Sequence, residues 1–145
     1  MRLNFPTYNF KIKRQENSNY VFDIIRKKFV LLTPEEWVRQ HTLNYLIHDL
    51  HCPSSLIAVE RGLEVNGLRK RFDLMVYQQG KPFLLVECKA PTIRLHQPAA
   101  MQIAVYNSHF NCRYLWLTNG LDHYYYEIQA DGKPNPIPML PDFMD

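Results

Sequence analysis

Four consecutive apolar residues, Phe83, Leu84, Leu85 and Val86, run straight into Glu87, Cys88 and Lys89. An uninterrupted apolar stretch of that length fits a buried strand. Residues two apart on a strand share a face, so Glu87 and Lys89 leave the strand side by side. The chain must therefore supply layers that cover this strand and a reason for two charges at its end.

The surrounding pattern supplies the layers. Residues 8–14 alternate apolar and basic side chains, and with 20–25 and 29–32 they predict a small antiparallel meander. Thr33, Pro34, Glu35 and Glu36 form a helix start: a capping hydroxyl, proline in the first turn, and Glu36 three residues after the cap. That helix is expected to run to about Leu50, where Pro53 follows. Residues 55–65 and 68–77 flank Asn66-Gly67, a hairpin signal, and a further strand covers 82–90. A loop over 91–98, a helix over 99–110, and strands over 112–120 and 123–129 around Asn119-Gly120 complete the order. The proline-rich tail, 131–145, is expected to be irregular. The fold class is α/β with a mixed sheet, and the unit from 82 to 120 predicts a parallel crossover.

At 145 residues the chain holds one core, so a single domain over 1–145 is expected. An apolar share of 46 % with 21 % charged residues excludes a disordered chain, and no apolar run is long enough to span a bilayer. The first ten residues lack a secretory signal, and three widely spaced cysteines, Cys52, Cys88 and Cys112, do not form a disulfide framework. The cytoplasm is the expected compartment. The net charge of +3 says little, but its distribution says more: Lys11, Lys13 and Arg14, then Arg26, Lys27 and Lys28, then Arg69, Lys70 and Arg71 form three basic clusters with aromatic neighbours. Such clusters suit a phosphate backbone and equally suit solvated turns.

Asp73 stands mid-strand in RFDLMVY, one hairpin before Glu87 and Lys89. Two carboxylates converging in a half-buried sheet repel, and unpaired buried charge costs several kcal/mol. A hard divalent cation would neutralise them, since Mg²⁺ takes one or two protein carboxylates with phosphate and water oxygens completing its shell. Lys89 on the same face is then placed to hold a water or a phosphate oxygen. The plain alternative is a structural Glu–Lys pair with an unrelated aspartate nearby.

The stretch RFDLMVYQQGKPFLLVECKAP resembles the signature of the PD-(D/E)xK nuclease superfamily, with Asp73, Glu87 and Lys89 at its acidic, acidic and lysine positions. More closely, TPEEWVRQ, FDLMVY, VECKAP, a helix with Gln102 and Tyr106, and YLWLTNG before HYYYEI are similar to the N-terminal nuclease domain of type I restriction enzyme R subunits, over about residues 20–130. Phe72 stands where the superfamily name has proline, and the motor that such subunits continue into lies outside this chain. The resemblance implies a restriction-endonuclease-like three-layer core behind the meander, and Mg²⁺-dependent hydrolysis of DNA phosphodiester bonds, with Mn²⁺ able to substitute. It further implies metal binding by Asp73, Glu87 and the Cys88 backbone carbonyl, with Lys89 assisting the attacking water. Motor, methyltransferase and specificity subunits are the implied partners. A DNA-binding or assembly module of the same fold, with little cleavage of its own, is the rival reading.

Other members of the site are read more openly. Glu36 lies near the centre of the stripe defined by Leu43, Ile47 and Leu50, whereas Glu35 falls to its side. In the resembling nucleases a first-helix glutamate completes the metal site, a role carried to Glu36 beside the alternative that it only caps the helix. Gln102 and Tyr106, four apart on one face, match a motif in which the glutamine lies beside the catalytic lysine and the tyrosine meets DNA; an ordinary amphipathic helix is the alternative. Arg69, Lys70 and Arg71 are the candidate phosphate contacts. His48, His51 and Cys52 are soft-metal types without a fourth partner at zinc spacing. Cys88 faces away from Glu87 with Leu84 and Val86, as a small core residue does. The run Tyr124 to Tyr126 reads as core and rim, with base stacking as the alternative, and Asn119-Gly120 as a turn.

Overall fold

The computed structural model describes residues 2–65 and 67–143, and the side chains of 60–66 and 68–71 lie outside that description. In chain order come β1 (Ile12–Gln15), β2 (Ser18–Asp23), β3 (Lys28–Leu31), α1 (Pro34–Asn44), β4 (Ile57–Val65), β5 (Leu68–Gln78), β6 (Lys81–Cys88), α2 (Gln97–Asn107), β7 (Tyr114–Thr118), β8 (His123–Ile128) and β9 (Pro134–Ile137). Among the described residues they form two sheets, one of order β1-β2-β3 and one of order β4-β5-β6-β7-β8-β9. The pairing of β6 with β7 is parallel and all others are antiparallel.

Alternation along β6 makes the layers. Leu84, Val86 and Cys88 pack with Val38, Leu43 and Leu46 on the α1 side, while Leu85 packs with Ala100 and Ala104 on the α2 side. The core is therefore a six-stranded sheet between two helical layers, a mixed α/β architecture with the expected meander ahead of it.

Local signals do what their chemistry predicts. The Thr33 hydroxyl accepts from the Glu36 N–H at 3.0 Å and Pro34 opens α1. Helical backbone continues past α1 as a wider turn over Tyr45–Asp49, close to the expected end. The β4–β5 hairpin closes with Val65 opposite Leu68, and Gly67 takes φ +78°; Asn66 lies outside the described residues. The second turn is tighter still. Asn119 Oδ1 accepts from the N–H groups of Leu121 and Asp122, its amide donates to the Ile93 carbonyl at 2.8 Å, and Gly120 takes φ +88° against Leu3 and Val38. That side chain thus ties the loop after β6 to the end of β7.

The tail departs from the expectation of irregularity. Residues Pro134–Ile137 form β9 at the sheet edge, with Tyr126 opposite Pro136 and Ile128 opposite Pro134. Proline is tolerated there because an edge strand has one side with no ladder bond to lose.

His41 and His123 flank Phe5, with ring centroids 5.6 Å and 4.9 Å away. Trp116 donates to His123 Nδ1 at 3.3 Å, so Nε2 carries the proton toward the Asn4 carbonyl at 2.9 Å. Burial holds both imidazoles below the ordinary histidine value. A depressed folded-state value contributes stability that is present above the unfolded value and lost as pH falls through the folded one. Melting temperature is therefore expected to drop as pH falls below about 6.5, and less so in His123→Gln. A Tm profile of the variant parallel to wild type would contradict this.

Candidate active site

Leu74 and Val86 are the last partners of the β5–β6 ladder on this side, while β6 stays paired with β7 through Cys88 and Thr118. At that fork the Cys88 N–H would lose its bond, and Asp73 fills the place: its Oδ2 accepts from Cys88 N at 2.7 Å. A buried N–H must find a partner, so the fork itself pins this carboxylate.

Arg39 of α1 meets the same group from the other side, with Nη2 3.5 Å from Asp73 Oδ1. It also binds Glu36 Oε1 at 2.8 Å and Glu35 Oε2 at 3.0 Å, and its side chain is 3 % exposed. Glu36, 5 % exposed, receives Arg26 on both oxygens at 2.9 Å and Gln40 at 3.1 Å. Arg26 and Gln40 in turn bind the buried Asp23 at the end of β2, each at 2.9 Å. A chain of charges thus runs from the small sheet through α1 to the fork. Glu36 points inward as expected, yet its oxygens are taken up by two guanidinium groups. Glu35 is the α1 carboxylate whose charge acts on Asp73.

Burial pushes the Asp73 carboxyl above its ordinary value, against the Cys88 N–H and the Arg39 charge that pull it down. Glu35 and Glu87 raise it further. Glu87 sits on the α2 side of β6, where Lys89 Nζ lies 3.7 Å from its Oε2 and Asn107 Nδ2 lies 3.5 Å from its Oε1. Lys89 is 36 % and Glu87 26 % open to solvent, which suits a site a substrate can reach.

The structure brings Asp73, midway along β5, to the C-terminal end of β6, where Glu87 and Lys89 lie, and adds Arg39, Glu35 and Asn107. It leaves Gln102 exposed on α2, with no hydrogen bond to the site among the described residues, and Tyr106 57 % exposed on the same helix. The α2 side chain at Glu87 is Asn107, which is 6 % exposed. Arg69, Lys70 and Arg71 lie on the β5 backbone approaching Asp73, and their side chains lie outside the described residues. Arg39 carried a sequence signal, its three- and four-residue spacing from Glu36 and Glu35. Asn107 carried none.

Among the described residues no three His, Cys, Asp or Glu side chains are gathered to hold a metal ion by themselves. His51 pairs with Asp142 at 3.0 Å and Cys52 is buried, so the residues considered for zinc are apart in use. A hard cation asks for less, since two carboxylates suffice when phosphate and water complete the shell. Asp73 and Glu87 are oxygen donors of that kind, and the charge of Glu87 acts on Asp73.

The model of the type I restriction enzyme R protein N terminus matches residues 34–141. The chain belongs to that family. No curated protein and no solved structure matches it. The matched span opens at the first residue of α1 and includes Asp73, Glu87 and Lys89, and it leaves the small sheet β1-β2-β3 outside. In this type I restriction R-protein domain, no helix among the described residues is long and apolar enough to cross a membrane.

Proposed function

We propose that this restriction R-protein domain is a metal-dependent DNA endonuclease that hydrolyses phosphodiester bonds. The observation that carries the reading is the fork: Asp73 held by the Cys88 N–H, repelled by Glu87, and followed by Lys89 on the strand that bears Glu87. Asp73, Glu87 and the Cys88 carbonyl would hold Mg²⁺, or Mn²⁺ in its stead. Bound there, the ion would supply charge neutralisation at the phosphate and a more acidic water.

The chain's own groups account for the rest. Lys89 orients the attacking water and meets charge developing on a non-bridging phosphate oxygen. The water oxygen bonds to phosphorus as the opposite P–O bond breaks, the water giving up its proton to solvent and the departing oxygen taking one from solvent. Arg39 holds Asp73 and Glu35 in register, and Asn107 holds Glu87. Arg69, Lys70, Arg71 and Tyr106 are proposed to meet the DNA, and Glu36 and Gln102 to support the site only at longer range. Motor, methyltransferase and specificity subunits are the partners this family membership suggests.

The engagement of Glu36 with Arg26 and Arg39 favours a second reading, in which the domain binds or assembles on DNA and cuts weakly alone. Nicking of supercoiled plasmid separates the two. With Mg²⁺ the wild type is expected to nick and Glu87→Gln to be slower by at least about a hundredfold, a loss of several kcal/mol in transition-state stabilisation. Equal rates, or none with any divalent ion, would favour the second reading.

A further inference from the structure

The small sheet lies outside the family match and presents a face unlike the rest of the surface. Val21 and Asp23 of β2 point inward and are fully buried. Alternation therefore sends Tyr20 and Phe22 outward. Register places Phe22 opposite Phe29 and Tyr20 opposite both Lys13 and Leu31, and the Phe22 N–H donates to the Lys11 carbonyl. The outward face thus holds three half-buried aromatic rings and Leu31, which is 50 % exposed.

Two cations stand over those rings. Lys13 Nζ lies 4.4 Å from the Phe29 centroid, and Lys11 Nζ lies 5.6 Å from Phe22 and 5.9 Å from Phe29. The acidic member of the sheet, Asp23, is turned inward and bonded to Arg26 and Gln40. Lys27 and Lys28 add charge at the β2–β3 turn. Aromatic rings alone would suit a protein or lipid partner equally. Rings interleaved with lysines, with no carboxylate among them in the described residues and Glu16 confined to the β1–β2 turn, suit a partner with flat π-faces and a negative backbone.

We propose that this face binds single-stranded nucleic acid, its rings stacking on unpaired bases while Lys11 and Lys13 meet the phosphates. A duplex keeps its bases stacked on one another and offers only its backbone, so it would use the lysines and leave the rings in water. Sequence preference is expected to be weak, because every base has a π-face. The inference goes beyond the nuclease reading and stands without it. The face would hold the separated strand of an opened duplex on the meander that Arg26 and Asp23 link to α1.

Fluorescence anisotropy with labelled oligothymidylate and with a duplex of equal length tests this, using the full 145-residue chain in EDTA so that cleavage plays no part. Because the proposed active site also meets duplex, each variant is compared with wild type on both ligands, and duplex binding is expected to change little when the ring is removed. Phe29→Leu, which keeps apolar bulk and removes the ring, should weaken single-strand binding at least about fivefold. Lys11→Gln with Lys13→Gln, both at exposed positions, should reduce the salt dependence of log K by about 1.4, two phosphate contacts at about 0.7 each. Should Phe29→Leu melt early, the lysine pair decides alone. Phe29→Leu weakening duplex binding as much as single-strand binding, or an unchanged salt slope in the lysine variant, overturns the proposal. Loss of plasmid nicking in Glu87→Gln would leave it untouched.

Discussion

Arg39→Ala is expected to lower the stability of this domain by about 3–5 kcal/mol, the usual cost of removing one partner from a buried charge network. The guanidinium is almost wholly enclosed and is bonded to carboxylates of three residues, Glu35, Glu36 and Asp73. Without it Glu36 keeps Arg26 and Gln40, but among the described residues Asp73 keeps only the Cys88 N–H. At roughly 2–4 °C per kcal/mol for a chain of this size, Tm should fall by about 10 °C. Arg39→Lys should recover only part of the loss, because a point charge cannot serve several carboxylates as a planar fork does. A thermal melt monitored by circular dichroism checks both, and a loss under about 1 kcal/mol in Arg39→Ala would refute the view that this residue organises the fork.

Asp73→Asn separates the structural part of the fork from its charge. Asparagine retains an oxygen to accept the Cys88 N–H, so the β5–β6 divergence should survive. Magnesium-dependent nicking should nevertheless fall by about a thousandfold or more, because a proposed metal ligand has lost its charge. Stability should move the other way. A carboxyl raised in the folded state contributes stability below its unfolded value and loses it as pH rises through the folded one, so beyond that point the wild type carries a penalty that asparagine lacks. In EDTA at neutral pH, Asp73→Asn is expected to melt higher than wild type. Added Mg²⁺ should raise the Tm of wild type by mass action, about 2.7 kcal/mol at a hundredfold excess over Kd, and leave the variant unmoved. Nicking within tenfold of wild type, or an equal response of both proteins to Mg²⁺, would remove Asp73 from the proposed metal site.

Much of the candidate site was legible before any coordinates. Period-two alternation put Glu87 and Lys89 on one side of β6 and Cys88 on the other, and the pairing of Leu84, Val86 and Cys88 with α1 agrees. The hydroxyl of Thr33, the proline after it and the two Asn-Gly turns announced element boundaries because their chemistry acts over four residues or fewer. The resemblance to the R-subunit family rests on segment order along the chain, which a sequence displays directly, and the family model matches over 34–141.

What stayed hidden depends on which charges meet in space. Glu35 and Glu36 are neighbours on one helix, and the helical stripe favoured Glu36 as the inward residue. It is inward, but the β2–β3 turn delivers Arg26 to it, a partner ten residues away whose approach no periodicity encodes. Asn107, and not Gln102, reaches Glu87, because the packing of α2 against the sheet sets which of its residues faces the strand end. The tail forms β9 since the edge of β8 offered it a ladder. By itself, then, the sequence determined the elements through β8, their order, the faces of β6 and the kinship of the chain, all of which follow from short-range sterics and apolar periodicity. Tertiary structure alone decided that Asp73 closes the fork and that Arg39 gathers three carboxylates, because electrostatic partnership depends on distance through the folded core.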